Sequence, residues 1–89
     1  MLTNVKTAEA ACGTDAAGSS LFGNATVVRL VNTTATARVI TVIDSVGGST
    51  TIGTFTMLGN TTEIVGKKST EAIFAADATV FGAAVGFAN

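Results

Sequence analysis

The chain has 89 residues and a formal net charge of −1, with 47% hydrophobic and 12% charged side chains. That is one small domain at most, with about half the charged share of an ordinary soluble domain, roughly 25%, and it is too apolar for intrinsic disorder. There is no His, Trp, Tyr or Pro and a single Cys, Cys12. These absences exclude histidine metal sites, His-based triads, intramolecular disulfides and cysteine zinc clusters together.

The opening Met1-Leu2-Thr3-Asn4-Val5-Lys6 lacks a basic region followed by an apolar run, and does not read as a secretory leader. In residues 1–24, Ala, Gly, Ser and Thr fill 13 of 24 positions. Thr7-Ala8-Glu9-Ala10-Ala11 has the composition of one helical turn ending near Gly13, but an isolated helix of fewer than about 12–15 residues is marginal. An extended N-terminal arm is the simpler expectation, with Leu2, Val5, Leu21 and Phe22 as its sizeable anchors. Ordering each residue costs about 1–2 kcal/mol, and small side chains offset little of it. The arm is therefore expected to be mobile in the free subunit and ordered only against a neighbouring one, and those four residues are the candidate interface.

From Ala25 to the end the sequence reads as β, which sets a sandwich domain at 25–89 after an arm at 1–24. Ala25 to Val31 is β-branched, and the polar turn Asn32-Thr33-Thr34 follows. Ala37 to Asp44 is apolar on both faces near its centre, and Gly47-Gly48 then supplies the backbone freedom of a tight hairpin. In Thr50 to Leu58, alternation sets Phe55 and Met57 against Thr54 and Thr56. Gly59-Asn60 is the next turn and Thr62 to Lys67 the next strand. Lys68 to Ala76 reads as a short helical turn or loop, with Ile73 and Phe74 capping the core. Ala78 to Ala88 is the last strand, with Val80, Ala84 and Gly82 or Gly86 inward. Short strands between Gly and Asn turns predict an all-β fold, a small antiparallel β-sandwich or barrel.

The motifs that suggest chemistry each have a plainer explanation. Gly66-Lys67-Lys68-Ser69 resembles the end of a phosphate-binding loop, but the spacing from Gly59 is wrong and no helix follows. Lys67 and Lys68 are expected to be a solvated strand end. Asn24-Ala25-Thr26, Asn32-Thr33-Thr34 and Asn60-Thr61-Thr62 are formal glycosylation acceptors; turns explain them better, because Asn tolerates left-handed backbone and bonds its own main chain. Glu9, Asp15, Asp44, Glu63, Glu71 and Asp77 are scattered, without the alternate spacing of a calcium loop. Cys12 has no His to activate it and reads as a buried thiol. The apolar stretch Ala72 to Ala88 carries Asp77 and is shorter than the roughly 20 residues of a membrane helix; its Gly82-x-x-x-Gly86 spacing suits a strand better. No enzyme activity, cofactor, metal, nucleic acid or membrane is expected.

A domain with so few charges must expose Thr, Ala, Gly and aliphatic groups, and contiguous exposed apolar area marks an interaction site. Lys and Pro are the usual guards of sheet edges; here Pro is absent and Lys is confined to Lys6, Lys67 and Lys68. This is the surface of an assembly component.

The order Val27-Val28-Arg29-Leu30-Val31-Asn32-Thr33, Ile40-Thr41-Val42-Ile43, Gly53-Thr54-Phe55-Thr56-Met57 and Glu63-Ile64-Val65-Gly66-Lys67-Lys68-Ser69-Thr70-Glu71-Ala72-Ile73-Phe74-Ala75 resembles small virion structural proteins of tailed bacteriophages, particularly those of marine hosts. In that group an R-x-V-N strand leads into an immunoglobulin-like sandwich, and a K-K/N-x-T-D/E-x-I/L-x-A segment precedes a final strand of small and apolar residues. The likeness covers roughly residues 25–88. It implies a non-enzymatic protein located in the virion, whose partners are other virion proteins, the major capsid protein first among them, and copies of itself. Capsid decoration or cement is the first role it implies; a neck, tail or fibre component is the alternative, and a small ligand-binding domain is a more distant one.

Overall fold

The alternating segments form strands within a residue or two of their expected limits. The computed structural model describes residues 2–88. Its strands are β1 (Leu2–Val5), β2 (Ala10–Ala11), β3 (Val27–Asn32), β4 (Arg38–Ile43), β5 (Thr51–Met57), β6 (Thr62–Gly66), β7 (Ala72–Ala75) and β8 (Val80–Ala88), and no helix forms among the described residues. The larger sheet runs β1-β8-β3-β6, with β2 also on β8, and the smaller runs β5-β4-β7. Every pairing is antiparallel.

The two sheets bury one core between them. Val28, Leu30 and Val80 enter it from the larger sheet, and Ile40, Met57, Ile73 and Ala75 from the smaller. The pleat sends alternate residues to one side, so Val28, Leu30 and Asn32 point inward and Val27, Arg29 and Val31 outward. Each fully buried aliphatic or Met side chain here contributes about 1.5–3 kcal/mol.

Residues 2–12 lie extended but, unlike the expected arm, await no other subunit: within the single chain they already pair with its last strand. β1 pairs with Val85 to Ala88 and β2 with Phe81 and Gly82, along one edge of β8. The Lys6 amide bonds the Ala84 carbonyl (2.8 Å) and the Cys12 amide the Val80 carbonyl (3.2 Å). Between them Thr7, Ala8 and Glu9 bow outward, and the Thr7 hydroxyl accepts from the Ala84 amide at 2.9 Å in place of a ladder carbonyl. Residues 7–11 form no helical turn, as their shortness implies, and pairing with β8 satisfies more backbone groups than one isolated turn would.

Residues 13–20 then close the outer edge of β7. Ser20 and Ile73 exchange two backbone bonds of 2.9 Å, and the Ala75 amide reaches the Gly13 carbonyl at 3.0 Å. The expected loop at 68–76 is thus a strand over Ala72–Ala75, with edges bonded to β4 and to this segment. Ile73 enters the core as expected, whereas Phe74 stands on the opposite face, beside Thr41.

The entry into β3 is one left-handed turn. Phe22, Gly23 and Asn24 have φ of 51°, 69° and 59°, and the Ala25 amide bonds the Leu21 carbonyl at 3.2 Å. Gly and Asn adopt this conformation readily; for Phe it is unfavourable. Phe22 is held there by burial, since a Cβ added at Gly82 would stand only 2.8 Å from its ring and from Leu30. The missing side chain at Gly82 is what lets the ring lie on the sheet.

Asn32 ties the two sheets together by polar contacts. It is fully buried, and its Nδ2 donates to the carbonyls of Thr36 (2.8 Å), Met57 (3.3 Å) and Leu58 (3.3 Å). Its Oδ1 accepts from the Thr34 amide (3.1 Å) and hydroxyl (3.0 Å). Replacing Asn32 by Leu keeps the branched outline with somewhat more bulk and leaves interior carbonyls without donors, a loss of about 2–3 kcal/mol. Urea unfolding of the N32L variant is expected to show that drop through a lower midpoint at unchanged slope.

Candidate interaction surface

The outward face of the larger sheet is read directly from its register. β3 sends out Val27, Arg29 and Val31; Arg29 faces Ile64 of β6 on one side and Ala83 of β8 on the other, and Val31 faces Thr62 and Phe81. β8 continues the face with Val85, beside Val5, and Phe87, beside Thr3. Ile64, Phe87 and Val5 are 47%, 46% and 68% exposed, whereas Ala83 and Val85 lie low between their neighbours. The face crosses four strands and carries one charge, Arg29, which has no acidic partner among the described residues.

The four anchors expected from the sequence separate into three environments. Leu2 and Val5 are exposed on β1, at 69% and 68%. Leu21 is half-buried, and Phe22 belongs to the core at 6% exposure. Val5 alone of the four lies on the apolar outward face, because Leu2, two pleats from Asn4, points to the other side of the sheet.

The sheet edges add a second kind of surface. Among the described residues the outer edges of β1, β5 and β6 are unpaired, and β5 carries no charge, whereas Lys6 follows β1, Glu63 lies in β6 and Lys67 follows β6. Lys67 is not the solvated end expected from the sequence. Its ammonium bonds the Ala25 carbonyl at 2.6 Å, and burial lowers its pKa while the nearby Glu71 carboxylate opposes that. Glu71 is buried and accepts from the Lys68 amide at 2.8 Å, closing the turn before β7.

Cys12 is fully buried, and burial pushes its thiol up from the ordinary value to about 11, so the thiolate is absent at neutral pH. No three His, Cys, Asp or Glu side chains converge among the described residues. The cleft beside Lys6, Thr7, Asn24 and Thr26, about 340 Å³, presents one charged group, Lys6. Arg38 and Asp77 form a partly exposed ion pair at 3.5 Å, a contact worth about 0–1 kcal/mol.

Two of the three formal glycosylation acceptors are turn residues with positive φ, Asn24 and Asn60. The third, Asn32, is the buried tie between the sheets. No known protein family, curated protein or solved structure matches this chain.

Cys12 generates a pH prediction. A thiol whose folded pKa stands above its unfolded value favours folding below the unfolded value and loses that contribution as pH rises through the folded one. Stability is expected to fall between about pH 9 and pH 11. Chemical denaturation across that range checks it, with the fall reduced in the Cys12→Ala variant.

Proposed function

We propose that this protein is a non-enzymatic structural subunit of a bacteriophage virion, a decoration or cement protein that packs on the major capsid protein. The observation that carries the proposal is the outward face of the larger sheet, apolar across four strands with Arg29 as its single charge. The accessible surface is 4656 Å², close to the roughly 4,800 Å² expected of a compact monomer of this mass. The apolar exposure therefore does not come from an open or incomplete fold. The strand-order resemblance between residues 25 and 88 supports the virion as the setting.

Attachment through such a face rests on burial at about 25 cal/mol per Å², which salt does not screen. Charge contributes little, because five basic and six acidic side chains are spread over the chain.

Purified particles washed at rising salt test this. The subunit is expected to stay bound at about 1 M sodium chloride, where charges are screened within about 3 Å, and to leave in mild detergent. Ile64→Lys is expected to leave the fold intact and lower incorporation about tenfold. Release by salt alone would overturn the reading. A copy number comparable with the coat protein would mark a lattice-wide position, and a far lower one a neck or tail position.

A further inference from the structure

The edge of β5 carries an inference that does not depend on the virion setting. The Ala76 amide bonds the Val39 carbonyl, which places the main-chain groups of Val39 toward β7. In an antiparallel ladder these groups alternate sides. Arg38, Ile40 and Val42 therefore bond β5 through their partners Met57, Phe55 and Gly53. Thr54 and Thr56 turn their N–H and C=O groups away from β4, and neither has a main-chain partner there among the described residues.

The other open edges are guarded by charge, as sheet edges usually are. Glu63 lies in β6 with Lys67 and Lys68 just beyond it, and Lys6 follows β1. The outer edge of β7 is closed by residues 13–20. From Ser45 to Thr62 the chain has no charged residue and no Pro. β5 is the edge left without a guard.

We infer that β5 pairs antiparallel with β5 of a second copy about a two-fold axis at Phe55, joining the two smaller sheets into one of six strands. The occupant is a second copy because the strand is self-complementary about that residue. An isologous contact brings residue i opposite residue j and j opposite i. Centred on Phe55, it sets Thr54 opposite Thr56 of the second copy, and the reverse. Both residues already present outward main-chain groups, so the two pairs exchange four backbone hydrogen bonds. The half-buried Phe55 meets its counterpart at the axis as a non-hydrogen-bonded pair, where side chains approach closest.

Ile52 and Leu58, three residues to either side, are 54% and 64% exposed, and this register carries each toward the other on the second copy. The bulge at Val42/Ile43 leaves Ile52 as the extra residue on β5, without a partner on β4. No like charges are brought together, since the segment contains none.

Sedimentation equilibrium of the full chain up to about 1 mM, the limit of weak specific association, tests the pairing. A reversible monomer–dimer equilibrium is expected. Thr54→Pro removes an outward N–H that β4 does not use, a change edge strands accept. It is expected to weaken the dimer about thirtyfold or more, through the two hydrogen bonds lost per dimer, with an unchanged β circular-dichroism spectrum. Leu58→Lys leaves the backbone intact and is expected to weaken it comparably, so it decides the matter if the proline variant misfolds. Ile64→Lys, on the outward face of the other sheet, is expected to leave self-association unchanged. A chain that stays monomeric to the highest concentration, a dimer that withstands both β5 substitutions, or one disrupted equally by Ile64→Lys would overturn the inference.

Discussion

A single buried amide governs how this sandwich closes. Asn32 ends β3 in the larger sheet, yet its Nδ2 bonds carbonyls at the end of β5 in the smaller one, and its Oδ1 shapes the turn that leads into β4. Apolar packing between sheets is non-directional; it rewards contact without choosing among nearby alignments. A hydrogen-bonded amide in the interior chooses one, because any slip leaves polar groups without partners in a low-dielectric setting. Leu30 of the larger sheet and Ile40 and Met57 of the smaller share one core in that alignment.

Length along β8 is the second organising element. Nine residues give a strand of about 30 Å, longer than any partner in the larger sheet. β3 covers one side of it, and β1 and β2 share the other in succession. The small side chains of the N-terminal segment suit this position, since they approach β8 closely and leave Cys12 and Phe22 to reach into the core. What composition suggests is an arm is, through residues 2–12, the completing edge of the sheet.

The sequence was most legible where one face of a strand meets solvent. β3 through β6 show this: Phe55 and Met57 alternate against Thr54 and Thr56, and the structure keeps that division. β7 was hidden because Ala72, Ile73 and Ala75 are all buried, so no polar alternation marks a strand, and the preceding Lys68 to Glu71 suits a turn as well as a helix. β1 and β2 were hidden for a different reason. Their stabilising partner lies some eighty residues away, and local composition carries no trace of it. Leu2 and Val5 could be picked out by size, and both are exposed, but Phe22 could not be assigned to the core without knowing that Gly82 faces it. The charge-free span around β5 was visible in the residues; that its edge is uncovered needed the topology.

The pairing of Leu2 with Ala88 has a consequence for how each copy is made. β1 is made some eighty residues before β8, so the larger sheet closes only once β8 has been made. That closure passes through contacts of great sequence separation, a topology that folds slowly. Throughout that interval the uncharged β5 segment is exposed together with unpaired β8. Newly made chains are therefore most vulnerable to mispairing before they fold, and a high rate of synthesis carries its own hazard.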